Sequence, residues 1–237
     1  MEGINLLKLL RLEWKKNRMA SYFKGLIICI VGILVAVVLM AVGSGDEQMF
    51  QDYTDFMSLT NILIRIVFII FSSVILSRLV IDEYKNKTVQ LLFTYPLKRK
   101  KVILAKLSLV FGFCFFSIII ATLTINIAVY FLNPMMSLFE TPVKIQGMIA
   151  TIPSTFINTF MMAGVSLIPL YFGMRKKSTA STITSAVLIG FLINATISNG
   201  DTSTSLSQFI IVPTIMCLLG LVIGYLSYYK IDKVDLT

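Results

Sequence analysis

The sequence predicts an all-α integral membrane protein. It has six transmembrane helices, an N-terminal amphipathic interfacial helix, a short cytoplasmic helix between helices 2 and 3, and both termini in the cytoplasm. Three observations predict this. The chain is 57% hydrophobic and only 14% charged, whereas soluble domains are about 25% charged. Charge is costly in hydrocarbon, so the deficit places most of the chain in lipid. Six apolar runs reach about 20 residues, which at 1.5 Å per residue cross a ~30 Å core. Basic residues crowd every second loop. Residues 1–237 therefore read as a single transmembrane domain, with no soluble part large enough to bury a core of its own.

Residues 1–21 precede the first span. Lys8, Arg11, Lys15 and Arg18 recur at helical steps on one face, with Leu6, Leu7, Leu10 and Trp14 on the other; Leu9 and Leu12 blur the boundary. Such a helix lies in the interface with Trp14 at headgroup depth. The plainer alternative is a basic flank with no defined pose. A signal peptide is not expected, because the basic region is too long and no small-residue cleavage pattern follows. Spans come near residues 22–42, 61–80, 102–132, 148–172, 179–197 and 208–229. The third is overlong, so its first turn or two lie in the interface or in a bend. Pro153, Pro169 and Pro213 fall within or near the ends of spans, where neighbouring helices can satisfy the carbonyls that a kink frees.

The loops set the orientation. Lys8, Arg11, Lys15, Lys16, Arg18 and Lys24 crowd the start. The next loop has Asp46, Glu47, Asp52 and Asp55 and no basic residue. Lys85, Lys87 and Lys98 to Lys101 with Lys106 follow the second span, Lys144 stands alone after the third, and Arg175 to Lys177 follow the fourth. Positive residues stay on the cytoplasmic side, so this alternation gives six crossings with cytoplasmic termini. The net charge of +9 belongs to these loops and not to a nucleic-acid surface. Cys29, Cys114 and Cys217 all fall in apolar runs and read as small core hydrophobes. The chain has no histidine, which removes H-E-x-x-H zinc sites and Ser-His-Asp catalysis. No metal or cofactor site is expected in it.

The polar segment Asp82–Lys106 separates the second and third spans. Asp82 and Glu83 suit the start of a short helix, where the dipole favours negative charge. The helix runs from Tyr84 to about Thr94 and stops ahead of Pro96, because the residue before a proline is pushed out of the α region. Thr88, Leu91, Leu92 and Tyr95 share one partly apolar face, which needs a partner, either lipid headgroups or a second protein.

Glu83, Lys87-Thr88, Leu91-Leu92, Tyr95-Pro96, Arg99 and Ala105-Lys106 resemble the corresponding loop of the permeases of type-2 ABC transporters, the exporter class. Lys87 departs from the usual glycine before the threonine, and Lys98 from a small polar residue. The resemblance covers the whole chain in architecture and about 25 residues in motif. It implies a permease whose loop forms a coupling helix seated in a separate ATP-binding cassette subunit. Glu83, Thr88, Leu91, Leu92 and Pro96 would then dock that subunit and transmit its motion. It also implies a second permease chain, identical or related, and export by alternating access in a membrane that suits the bacterial cytoplasmic one. Peptides, drugs and lipids would all be compatible substrates. ATP and Mg²⁺ would be bound by the partner, since none of the 13 glycines belongs to a G-x-x-x-x-G-K-[ST] phosphate loop.

Polar groups inside the spans are candidates for a substrate path. Arg65 either snorkels to the outer headgroups, or faces the pore to pair with Asp55 or meet an anionic substrate. Arg78, near the inner end, snorkels. Asn126, Asn158 and Asn194 either bond between helices or line the path. Gly220-x-x-x-Gly224 allows a close helix approach. Two rival functions remain open. A stand-alone secondary transporter or channel would place acidic residues mid-span, and none stands there. A non-transporting immunity or regulatory subunit would bind the cassette partner without flux.

Overall fold

The structure, a computed structural model, describes residues 6–43, 53–85, 99–136, 152–199, 202–205 and 211–230. Helix α1 (Leu6–Lys16) comes first. Its buried pole is Leu9 and Glu13, one turn apart, while Leu12 and Trp14 face outward. This corrects the sequence face: Leu10 is only partly buried, and the side chains of Leu6 and Leu7 lie outside the described residues. The cause is packing, because Leu9 closes against Val102 and Ala105. Arg18 turns the chain in the left-handed region, φ 46°, and a short turn at Met19–Ser21 leads into α2 (Tyr22–Gly43).

Helix α2 buries one stripe, Leu26, Ile30, Ile33 and Val37, and exposes Ile27, Ile28, Val31, Val35 and Leu39. Helix α3 (Tyr53–Leu76) starts eight residues ahead of the predicted span, because Phe56 and Met57 already find the core. It ends in a π turn, Ser77–Ile81, followed by α4 (Asp82–Lys85). Arg78 places its guanidinium 5.9 Å from the ring centre of Tyr22, a cation–π contact at the place where snorkelling was expected. Helix α5 (Arg99–Met136) is unbroken; its overlong start does not bend but runs beneath α1.

The fourth apolar run divides. Helix α6 (Ile152–Val165) stops, residues 166–168 turn, and α7 (Pro169–Lys176) resumes. Pro169 has no N–H to continue the ladder, and its ring crowds the preceding turn. Helix α8 (Thr179–Ile193) is shorter than expected. The run after it is rich in Asn, Thr and Ser, which favour turns and strands. There β1 (Thr196–Asn199) pairs antiparallel with β2 (Thr202–Ser205), Thr196 opposite Ser205. Apart from this short hairpin the described residues bear out the helical fold; Gly200-Asp201 between the strands was its sequence signal. Helix α9 (Ile211–Lys230) closes the described chain.

Helices α3 and α5 form the middle of the bundle, with α2 and α8 beside α3, and α6 beside α5. Helix α9 packs chiefly on α6 through a narrow stripe of Pro213, Cys217, Gly220 and Gly224. A Cβ on Gly220 would stand 2.0 Å from the Gly164 carbonyl oxygen, so the two backbones touch; one on Gly224 would meet nothing nearer than 3.7 Å. Cys114 and Cys217 are buried in the core, and Cys29 packs against it. Four stretches are long and apolar enough to cross a membrane: Met19–Gly43, Asp55–Ile81, Lys101–Asn133 and Ile152–Lys176. Thr179–Ile193 and Ile211–Ser227 are apolar but shorter.

Candidate functional site

The basic end of the bundle holds a buried cluster of charge. Leu9 sits over Val102 and Ala105, and the small Ala105 lets α1 come close. Glu13, a turn beyond Leu9, is thereby brought over Lys106. Lys106 is 2% exposed. Its Nζ donates to the Leu79 carbonyl at 2.9 Å and to Glu83 Oε2, and lies 4.0 Å from Glu13 Oε2. The Leu79 carbonyl belongs to the π turn, where widening of the helix disturbs the i→i+4 ladder and leaves carbonyls for other donors. Lys16 Nζ closes the cluster by donating to Glu83 Oε1 at 3.0 Å. Asn17 Nδ2 donates to the Glu13 carbonyl and to its Oε2, both at 3.0 Å.

Two lysines thus meet two glutamates, and three separate chain segments are pinned at one point. Burial pushes the Glu83 carboxyl up, but the Lys106 charge and the hydrogen bonds from Lys106 and Lys16 prevail and hold it below its ordinary value. Burial likewise pushes the Lys16 ammonium down, and Glu83 with Glu13 overcomes it, so its value is raised.

A second polar place lies inside the bundle. Asn61, Ile64 and Arg65 of α3, Ile118 and Thr122 of α5, and Thr155, Asn158, Thr159 and Met162 of α6 enclose a cleft of about 30 Å³. That is room for about two waters. Arg65 lies roughly 24 Å along the axis from Ile81. Asp55 is on the same helix almost three turns away, roughly 15 Å, so of the alternatives for Arg65 the pair with Asp55 does not form. Among the described residues neither Arg65 nor Asn158 has a hydrogen-bond or ion-pair partner.

A family model described as "ABC-2 family transporter protein" matches residues 9–194, a span that holds both the ion cluster and the cleft. The chain belongs to the ABC-2 transporter family. A relative in Bacillus subtilis (strain 168), the uncharacterized protein YcbO, is 31% identical over 232 residues, covering 97% of this chain and 100% of the relative. No solved structure matches. This ABC-2 family chain is a multi-pass membrane protein of the permease type.

Within the family frame, the sequence-predicted residues divide. Glu83 directs its carboxylate into the chain's own ion cluster. Thr88, Leu91, Leu92 and Pro96, with the rest of the 84–94 helix beyond Lys85, lie outside the described residues. Arg65 and Asn158 share the cleft. Asn126 does not line it; its Oδ1 accepts from the Tyr53 hydroxyl and its Nδ2 donates to the Thr122 carbonyl at 2.9 Å. Asn194 ends α8, donating to the Gly190 carbonyl at 2.8 Å, and its buried Oδ1 has no partner. Sequence reasoning missed Glu13 and the role of Lys106. A signal existed: Glu13 is the one acidic residue among the basic side chains of α1.

Proposed function

We propose that this chain is the permease subunit of an ATP-driven exporter in the bacterial cytoplasmic membrane. It crosses the membrane six times as one domain with cytoplasmic termini, and pairs with a second permease chain, identical or related. A separate ATP-binding cassette subunit binds ATP and Mg²⁺ and docks on the loop between α4 and α5 through Thr88, Leu91, Leu92 and Pro96. Alternating access then moves a peptide, drug or lipid-like substrate outward. Family membership supports the reading, and one observation carries it. Glu83, at the root of the docking loop, is tied to α1 through Lys16 and to α5 through Lys106. A push on that loop reaches two helices at once. Glu83 is then the transmitting residue, and the apolar face beyond it is the dock.

The test is affinity purification of the permease from detergent with an assay for a co-purifying ATPase. Wild type brings the ATPase with it. Leu92→Asp loses it, because a charge enters an apolar dock. Glu83→Gln keeps it but loses ATP-driven flux. Wild-type permease that is folded and brings no ATPase would overturn the reading and favour a stand-alone carrier. A bound ATPase without flux in wild type would favour the regulatory subunit.

A further inference from the structure

We infer that the Arg65 cleft is a binding site for the oxyanion head of an amphiphile, a carboxylate or a phosphate whose apolar tail lies along the lipid-facing helices. Four observations lead there. Arg65 is a permanent cation within a membrane-crossing helix, where an unpaired cation is costly. No acidic side chain among the described residues answers it. The groups around it include Asn61, Asn158 and the Thr122 hydroxyl, which can donate hydrogen bonds to an oxyanion without competing as anions, while Thr159 gives its hydroxyl to the Thr155 carbonyl at 2.7 Å. The cleft is small: two oxygens fit and a bulky polar solute does not.

The fork of N–H groups on a guanidinium suits a carboxylate or phosphate, which it can hold by two parallel bonds. Apolar side chains next in sequence to the lining residues support a tail. Ile157 and Phe160 on α6 and Leu123 on α5 are exposed on the outer surface of the bundle. The head therefore enters a polar notch while the rest of the molecule stays in hydrocarbon. Binding of this kind needs no ATPase. That the bound amphiphile is exported cargo does rest on the permease reading.

The experiment measures radiolabelled oleate binding to purified permease in a neutral detergent, without any cassette subunit. Binding is expected to saturate near one per chain. Excess oleate displaces the label and oleyl alcohol, the uncharged match, does not. Arg65→Gln weakens binding at least about tenfold, the loss expected for a charge-assisted pair, whereas Arg65→Lys, which keeps the charge and loses the fork, falls between the two. Competition by phosphatidylglycerol assigns the notch to the phosphate of a bilayer lipid. Indifference to phosphatidylglycerol assigns it to a carboxylate ligand. Oleyl alcohol competing as well as oleate, or Arg65→Gln binding like wild type, would overturn the inference. Should Arg65→Gln fail to give a monodisperse protein, Asn158→Leu with Thr122→Val takes its place and is expected to weaken oleate binding severalfold. Failure here leaves the ATPase pull-down untouched, and failure of the pull-down leaves this binding result untouched.

Discussion

Lys106 and Arg65 are both cations on helices of the bundle, and the protein treats them in opposite ways. Lys106 is closed off from solvent, with a carbonyl, Glu83 and Glu13 around it. Arg65 looks into a notch of amides and hydroxyls with no acid in reach. The first arrangement spends every donor on fixing helices to one another. The second leaves donors over. A compensated charge serves cohesion, and an uncompensated one is available to something that arrives from outside the chain.

Substitutions sharpen the contrast. The largest effect is expected for Lys106→Met, which leaves Glu83 with Lys16 and Glu13 with Asn17 as their remaining partners; breaking a buried pair costs up to about 3–5 kcal/mol. Thermal unfolding in detergent should show it, and neutralising Glu83 as well should recover part of the loss. Equal stability of Lys106→Met and wild type would mean that the cluster is not cohesive.

Acid gives a second measure. Glu83 is held below its ordinary value of 4.5, so its ionised form contributes stability above that pH, which is lost as pH falls through the depressed value. A melting curve that is level from pH 7 to 5 and drops below 4.5 is expected, with the drop reduced in Glu83→Gln. A drop unchanged in that variant would assign the acid sensitivity elsewhere.

The smallest effect belongs to Lys16→Ala. This side chain is 54% exposed, and exposed pairs contribute about 0–1 kcal/mol. A large loss on removing Lys16 would show that the outer lysine, not Lys106, holds α1 in place.

The membrane part of the fold was legible because hydropathy acts residue by residue. Four stretches coincide with predicted spans; α8, at 15 residues, is shorter than a crossing needs, while α9, at 20 residues, covers nearly all of the sixth apolar run. What the sequence hid depends on neighbours. The π turn at Ser77–Ile81 leaves no mark in an apolar run. The break before Pro169 was expected only as a kink. The first two residues of the hairpin, Thr196 and Ile197, were counted into the fifth span because Ile197 extended the apolar run.

The site was legible in the same uneven way. Arg65 and Asn158 announced themselves as polar letters in apolar text, and they converge. Glu83 was noticed through its motif, yet its partners were not. Counting loop charges treats Lys16 and Lys106 as equivalent, although one is largely in water and the other is 2% exposed. Only packing of Leu9 on Ala105 tells them apart. Asn126 and Asn194 look the same as Asn158 in sequence and differ because local carbonyls already occupy them.

The contact between Gly164 and Gly220 has a mechanical meaning for the notch. With backbones touching there, α6 and α9 slide or tilt as a single plank, and no lipid tail wedges between them. Thr155, Asn158 and Thr159 ride on that plank, whereas Arg65 belongs to the opposite rail, α3. A shift of α6 along α3 would therefore change the aperture between them, and would carry α9 with it.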